Sequence, residues 1–168
     1  MIKCPMCGHK MKGTKKDYHY TESGLDNVIL KGATVYTCKK CGEEMPEIPA
    51  IECLHRLISD MIIKKQAPLD GPEIRFLRQE MRFKANMFAS TLKINKVTLS
   101  NWENDVKKPD KAYDVLIRLF YWRFKEEQTG SFLSGIKLEE LLREISPTKK
   151  EVDFIIPPEK WEECLNTH

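Results

Sequence analysis

Two short cysteine motifs constrain the fold of the first quarter of the chain more than any other feature. Each has the pattern Cys-x-x-Cys-Gly, once ending at Gly8 and once at Gly42. Two intervening residues let both sulfurs of a pair turn toward one ion, and two such pairs supply a closed tetrahedral zinc site. The glycine leaves room for backbone N–H groups to point at the sulfurs. We therefore predict one structural Zn²⁺ ion, held by Cys4, Cys7, Cys38 and Cys41.

Other interpretations of the cysteines account for less of the pattern. Redox chemistry or unpaired buried thiols would explain one pair, but two copies of the motif favour metal. His9 or His19 could replace one cysteine, although four sulfurs already complete the site. Cys53 lies on an apolar helical stretch and Cys164 lies near the end of the sequence. We expect both to be small hydrophobic residues or free thiols rather than ligands.

The composition indicates a soluble, cytoplasmic protein. Of its 168 residues, 32% are charged and 41% are hydrophobic, which permits a packed core. No apolar run approaches the roughly 20 residues that span a bilayer, and the first residues lack the apolar stretch of a signal peptide. In that compartment paired cysteines bind metal more often than they form disulfides. We expect no membrane partner.

Positive charge is concentrated in the middle of the chain. The net charge is +2 for residues 1–70, +5 for residues 71–124 and −4 for residues 125–168. This distribution is typical of a phosphate-contacting segment followed by an acidic tail. Four zinc-bound thiolates would bring the first segment close to neutral. The middle segment is therefore the better candidate for contact with nucleic acid.

The pattern of elements predicts an α+β protein. A small zinc-stapled β-rich N-terminal module would be followed by an all-α helix-turn-helix domain with a C-terminal extension. The predicted parts are residues 1–46 for the Cys4 module, 47–69 for a linker with a connecting helix, 70–124 for the helix-turn-helix domain and 125–168 for the acidic extension.

Local signals place strands and helices within these parts. β-branched and aromatic stretches predict strands at Tyr18–Thr21, Asn27–Leu30 and Ala33–Thr37, with turns at Gly24 and at Lys31-Gly32. Residues 45–49 are predicted to be a linker, and residues 50–65 and 136–145 have helical periodicity. Four further helices are predicted between residues 70 and 124. Their signals are a capping box of Asp70 and Glu73, a cap at Asn95, a stop at Asn104-Asp105, Pro109 at the start of the last helix, and its apolar stripe of Tyr113, Leu116, Ile117, Phe120 and Phe124.

The segment from Gly71 to Pro109 resembles the helix-turn-helix of the Cro/phage-repressor type. The matching positions are Ile74, Arg75, Leu77, Arg78, Ala89, Leu92, Ile94, the run Thr98-Leu99-Ser100-Asn101-Trp102-Glu103, and Pro109. The segment departs from the usual pattern at three positions, because Lys93 and Asp105 replace glycines and Ala85 replaces a DNA-contacting glutamine.

Side-chain chemistry suggests how this segment would bind DNA. Asn101 could pair with adenine, Val97 could contact a thymine methyl group, and Lys96 could reach guanine or a phosphate. Other lysines would hold phosphates, although each could equally be a solvated surface charge. The complete predicted set is Lys84, Lys93, Asn95, Lys96, Val97, Thr98, Ser100, Asn101, Lys107 and Lys108.

The order of a Cys4 knuckle module, a linker and this helix-turn-helix resembles the MqsA antitoxin family with its YgiT-type zinc finger. The resemblance covers about residues 1–124. It implies a zinc domain that contacts a toxin and a second domain that dimerises on palindromic operator DNA. Two DNA-reading positions of the family, asparagine and arginine there, correspond to Val97 and Asn101, so a different operator is expected. Residues 125–168 extend past the short antitoxins and could cover a dimer interface, bind a partner or form extra core.

These observations together predict a function. We expect a sequence-specific transcriptional repressor, homodimeric on palindromic double-stranded DNA, that is the antitoxin of a toxin–antitoxin pair. The alternative is a stand-alone regulator without a toxin partner. An enzyme is disfavoured because the predicted metal site is closed and because no HExxH, GxSxG or phosphate-loop motif occurs.

Overall fold

The computed structural model describes residues 2–48, 50–129 and 152–162. It is a mixed α/β protein, with a β-sheet formed mainly by the N-terminal part and a helical region after it. The chain divides into two compact units. Among the described residues, the first unit contains 2–22, 26–48, 50–57 and 153–162, and the second contains 23–25, 58–129 and 152.

The first unit is built around one long strand. The strands are β1 (Met11–His19), β2 (Val28–Cys38), β3 (Glu44–Pro46) and β4 (Phe154–Ile156). β1 pairs antiparallel with nearly the whole of β2. On the other edge of β2, β3 pairs antiparallel with one end and β4 pairs parallel with the other. A short helix, α6 (Pro158–Glu162), follows β4.

The predicted turn at Lys31-Gly32 is wrong, because β2 continues through it. Lys16 pairs with Ala33 and Tyr18 pairs with Leu30, so β2 has one extra residue in a β-bulge opposite Asp17. Gly32 adopts a φ of 61° there, and its N–H donates to the Asp17 carboxylate at 3.2 Å. The bulge keeps the same face of β2 buried on both sides of it, at Val28, Leu30, Ala33 and Val35.

Two other sequence predictions for this unit also require correction. β1 begins at Met11, well before the predicted strand at Tyr18. The predicted linker is partly a strand, since Met45 and Pro46 belong to β3. Both segments have few apolar residues, so their strand structure comes from pairing with β2 rather than from local sequence signals.

Two of the helices begin at the caps that the sequence predicts. Their bounds are α1 (Ile51–Lys64), α2 (Gly71–Glu80), α3 (Ala85–Thr91), α4 (Lys96–Glu103) and α5 (Lys111–Thr129). The capping box is confirmed, since the Glu73 N–H donates to the Asp70 side chain at 3.0 Å and the Asp70 N–H donates to the Glu73 side chain at 2.9 Å. Asn95 caps α4 through the Thr98 N–H at 2.7 Å. α5 begins two residues after Pro109, behind Asp110.

A buried ion pair and a close approach join α2 to α4. Arg78 places its Nε 2.6 Å from Oε1 of Glu103, and a second nitrogen donates to Oε2 at 3.1 Å. A Cβ atom on Gly71 would lie 2.7 Å from the Trp102 carbonyl oxygen, so this position has no room for a side chain. The start of α2 and the end of α4 are therefore in direct contact.

The buried side of α5 differs from its predicted apolar stripe. Ile117 and Tyr121 are buried, but Leu116 is only half-buried. Arg118, which was not predicted, is 1% exposed, and its guanidinium group donates to backbone carbonyls in the last turn of α1 and just after it. An ionised group is stable in the interior only when such partners are fixed around it.

A few sequence predictions concern α1 and the chain ends. α1 agrees with the helix predicted for residues 50–65. Cys53 on α1 is disulfide-bonded, which contradicts the expectation of a free thiol or a small hydrophobic residue. Cys164 and the helix predicted at residues 136–145 lie outside the described residues. Within the described part of the chain, no helix is long and apolar enough to cross a membrane.

Candidate metal centre and candidate nucleic-acid surface

The sulfur atoms of Cys4, Cys7, Cys38 and Cys41 lie within 4.8 Å of one another. Three of the sulfur–sulfur distances, Cys4–Cys41, Cys7–Cys38 and Cys7–Cys41, are 3.5 Å. Four sulfurs at about 2.3 Å from one ion in a tetrahedron would be about 3.8 Å apart. None of the four takes part in a disulfide. The cluster could therefore hold one metal ion.

The two cysteine turns have the same backbone structure. In the first, the Gly8 N–H donates to the Cys4 carbonyl at 2.9 Å, and in the second the Gly42 N–H donates to the Cys38 carbonyl at 2.9 Å. Both glycines are left-handed, with φ of 71° and 77°. A residue with a Cβ atom adopts this conformation only at a cost, so the glycine that follows each pair is required by the turn.

Backbone N–H groups around the cluster favour negative charge on sulfur. The N–H of Cys41 and then that of Lys40 lower the pKa of Cys38 to about 6. The N–H of Glu43 also lowers the pKa of Cys41, but hydrogen bonds with Cys4 and Cys7 outweigh it and raise that pKa to about 12. The neighbouring sulfurs therefore oppose a second negative charge. A divalent cation removes this conflict, which makes the donor set a good fit for a metal ion.

The cluster lies partly on apolar packing and partly at the surface. Cys4 and Cys38 are buried with Met11 in a small core, against which Tyr36 and Met45 also pack. Cys41 is exposed. The exposed side chains of His9 and His19 do not belong to the cluster, so the four-sulfur set stands without a histidine. Because four sulfurs would fill the four coordination positions of a tetrahedral ion, such a set leaves no coordination position open for a substrate or a catalytic water.

A second candidate surface lies on α4. Leu99, Trp102 and Glu103 are buried on one side of this helix. The other side exposes Lys96, Ser100 and Val97, whose side chain is 68% exposed. An apolar residue this exposed on a helix with a buried reverse face is available to contact another molecule.

The structure assigns different roles to the residues predicted to contact DNA. The Asn95 side-chain oxygen accepts hydrogen bonds from both the N–H and the hydroxyl group of Thr98. These two residues therefore form the cap of α4. Lys84 is the exposed residue before α3, and Lys93 is exposed at the end of that helix with a φ of 57°.

A cavity of about 370 Å³ brings some of the predicted residues together. The Trp102 and Tyr113 rings, whose centroids are 5.1 Å apart, form part of its wall. The lining residues are Thr98, Asn101, Trp102, Lys107, Lys108, Pro109, Asp110 and Tyr113. Two exposed lysines, a hydroxyl group, an amide and the Asp110 carboxylate thus line one concave site, whereas Lys84 and Lys93 lie outside it.

One exposed basic residue of the helical unit was not singled out from the sequence. Arg82 is exposed between α2 and α3 and has a φ of 57°. Its charge alone did not distinguish it from other surface residues. A left-handed conformation, which is unusual for a residue with a long side chain, becomes visible only in the folded chain.

Comparison with known proteins adds nothing to these observations, because no family model, curated protein or solved structure matches the chain.

Proposed function

We propose that the chain is a sequence-specific DNA-binding transcriptional regulator. In this proposal α3 and α4 form the helix-turn-helix, and α4 is the helix that enters the major groove. The proposal rests on one observation above the others. Within the described part of the chain, Lys96, Val97 and Ser100 are exposed on one face of α4, while Leu99 and Trp102 are buried on the opposite face.

Two strained cations support contact with the DNA backbone. Arg82 and Lys93 are both left-handed, a conformation that costs an ordinary residue about 1 kcal/mol more than glycine. Glycine would therefore stabilise either position. Asp105 has the same conformation after α4, so the left-handed φ belongs to these helix ends, and it is the exposed positive charge of Arg82 and Lys93 that would suit them to phosphates.

Structural zinc is the second part of the proposal. Zn²⁺ is the usual ion in a closed set of four cysteine thiolates, and the paired turns have the hydrogen bonding that a thiolate set needs. The four sulfurs would supply the ion's complete first coordination sphere. The ion would hold the small first unit together rather than take part in a reaction.

The biological role follows from the resemblance in motif order. We propose a homodimer on a palindromic operator, with the chain acting as the antitoxin of a toxin partner. A stand-alone regulator is the alternative. A small toxic open reading frame beside the gene, whose product co-purifies with the chain, would support the antitoxin role. Operator binding without any such partner would support the alternative.

Base selection and phosphate contact can be separated experimentally. An operator would first be selected from random duplexes and its affinity measured over a range of salt concentrations. Asn101→Ala should relax base preference at one position, whereas Lys107→Ala should weaken all sequences and reduce the salt slope by about 1. Lys64→Ala, which removes an exposed lysine at the end of α1, serves as a matched control. Identical behaviour of Asn101→Ala and Lys107→Ala would contradict the assigned roles.

Stoichiometry tests the metal and the assembly. Mass spectrometry under native conditions should find one zinc ion per chain and two chains per operator. Replacement of Cys7 by serine should remove the zinc. Two ions per chain, or none, would overturn the zinc site, and a monomer on an asymmetric site would overturn the dimer.

A further inference from the structure

The C-terminal segment completes the sheet of the first unit. β4 pairs in parallel with the start of β2, with Phe154 opposite Val28 and Ile156 opposite Leu30. The N–H of Phe154 also donates to the Asn27 carbonyl at 2.8 Å. Phe154 is 2% exposed and Ile156 is fully buried. This segment therefore contributes core, although some 120 residues separate it from β2 in the sequence.

A second contact follows directly after β4. The proline at the start of α6 packs against the bulge of β2, where a Cβ atom on Gly32 would lie 3.2 Å from Cγ of Pro158. The left-handed Gly32 thus presents a bare backbone to the proline ring. The C-terminal segment therefore contacts β2 at two places, the first three residues of β2 and the bulge of β2.

The same strand carries the metal cluster at its other end. β2 ends at Cys38, which together with Cys4 belongs to the small apolar core next to the sulfurs. A unit of this size has a limited core and depends on additional restraints for its stability. Loss of Phe154 and Ile156 would expose Val28 and Leu30, and so weaken the strand that supplies one of the ligands.

We propose that the segment from Asp153 to Pro158 is a latch. Docking of this latch on β2 and retention of the metal by the first unit stabilise each other, because both depend on β2. This inference rests on the proposed metal site and is independent of the proposed DNA binding. Metal binds the folded unit and not the unfolded one, so a contact that stabilises the folded unit raises metal affinity wherever the metal-free unit is partly unfolded, as expected for a unit with so small a core. The coupling is reciprocal, because bound metal must favour the docked latch by the same factor. Displacing the latch would then release the metal.

The test uses the full-length chain and two adjacent residues. Phe154→Asp places a charge at a buried position, and Ile155→Asp places the same charge at a neighbouring position that is 49% exposed. Zinc affinity would be measured by competition with a chromophoric chelator. We expect Phe154→Asp to weaken zinc binding at least tenfold and to speed zinc loss, whereas Ile155→Asp should change affinity by less than twofold. Equal zinc affinity of Phe154→Asp and the unmodified chain would overturn the latch.

Milder variants keep the test decisive if Phe154→Asp does not fold. Phe154→Leu and Ile156→Val remove part of the buried volume and should weaken zinc binding in smaller, graded steps. In the reverse direction, chelation of zinc from the unmodified chain should speed hydrogen exchange at the β4 amides. Unchanged affinity in the folded mild variants, or unchanged β4 exchange after chelation, would also refute the coupling. If the unmodified chain holds no zinc, the zinc proposal fails, and operator binding still tests the DNA proposal separately.

Discussion

Arg118 is expected to be the most important single charge for the stability of the second unit. Its guanidinium group donates to the carbonyls of Ile63 at 3.0 Å, Lys65 at 2.6 Å and Ala67 at 2.8 Å, and its Nε donates to the Asp114 carboxylate at 2.7 Å. Replacing it by methionine removes these donors but keeps most of the volume. The change leaves Asp114 buried without its cation and several carbonyls without donors.

The expected cost of Arg118→Met is about 3–5 kcal/mol, which is the range for removing one partner of a buried ion pair. The assay is urea unfolding followed by hydrogen exchange of the α5 amides, so that the second unit is observed by itself. Such a loss would shift the urea midpoint by about 1–5 M at slopes of about 1–3 kcal/mol/M.

Two control variants make this prediction specific. Arg123→Met removes an arginine from the same helix that pairs with Glu126 and Glu127 but whose side chain is 64% exposed. It should cost less than about 1 kcal/mol. Asp114→Leu combined with Arg118→Met should recover only part of the loss, because no buried carboxylate is then left without its cation but the Leu69 N–H loses the Asp114 oxygen to which it donates at 2.6 Å. A cost below about 1 kcal/mol for Arg118→Met alone would refute the reasoning.

Three further predictions concern the second unit. Gly71→Ala should destabilise it by about 1–3 kcal/mol in urea unfolding, because the new Cβ would meet the Trp102 carbonyl; a gain in stability, as at an open helix position, would contradict the close contact. Lys93→Gly should instead add about 0.5–1 kcal/mol by relieving its left-handed φ, while weakening operator binding; unchanged operator affinity would exclude the proposed phosphate contact. Burial raises the pKa of Glu73 to about 7 against the opposing pull of Lys65, so the folded unit binds the proton more tightly than the unfolded chain does. Its stability should therefore fall by about 3 kcal/mol as pH rises from about 4.5 to 7, and Glu73→Gln should remove most of that slope in urea midpoints measured across the range.

Several features follow from the sequence alone because their causes are local. The metal cluster was predictable because two residues between cysteines, followed by glycine, define one turn geometry wherever the motif occurs. The starts of α2 and α4 were predictable for the same reason, since Asp70 with Glu73 and Asn95 each satisfy N–H groups within three residues. The caps and each cysteine turn do not depend on the rest of the chain, but the two turns meet only because β1 pairs with β2, with Met11 opposite Cys38.

Other features were decided only by contacts between distant parts of the chain. Lys31-Gly32 has the local signal of a turn, but pairing with β1 on both sides turns it into a bulge within β2. The three-residue strand β4 is too short to be recognised, and it exists because β2 offers it a free edge. These outcomes required the tertiary structure because the stabilising partners lie far away in sequence.

Whether a feature could be predicted from the sequence or required the tertiary structure depended on how far apart its interacting groups lie along the chain. The sequence determined the features whose partners lie within a few residues, namely the helix caps and the turn of each cysteine pair. The tertiary structure decided where charge could be buried, at Arg118, and which edge of the sheet the C-terminal segment would cover. A buried charge and a sheet edge are stable only when distant backbone groups arrive to pair with them.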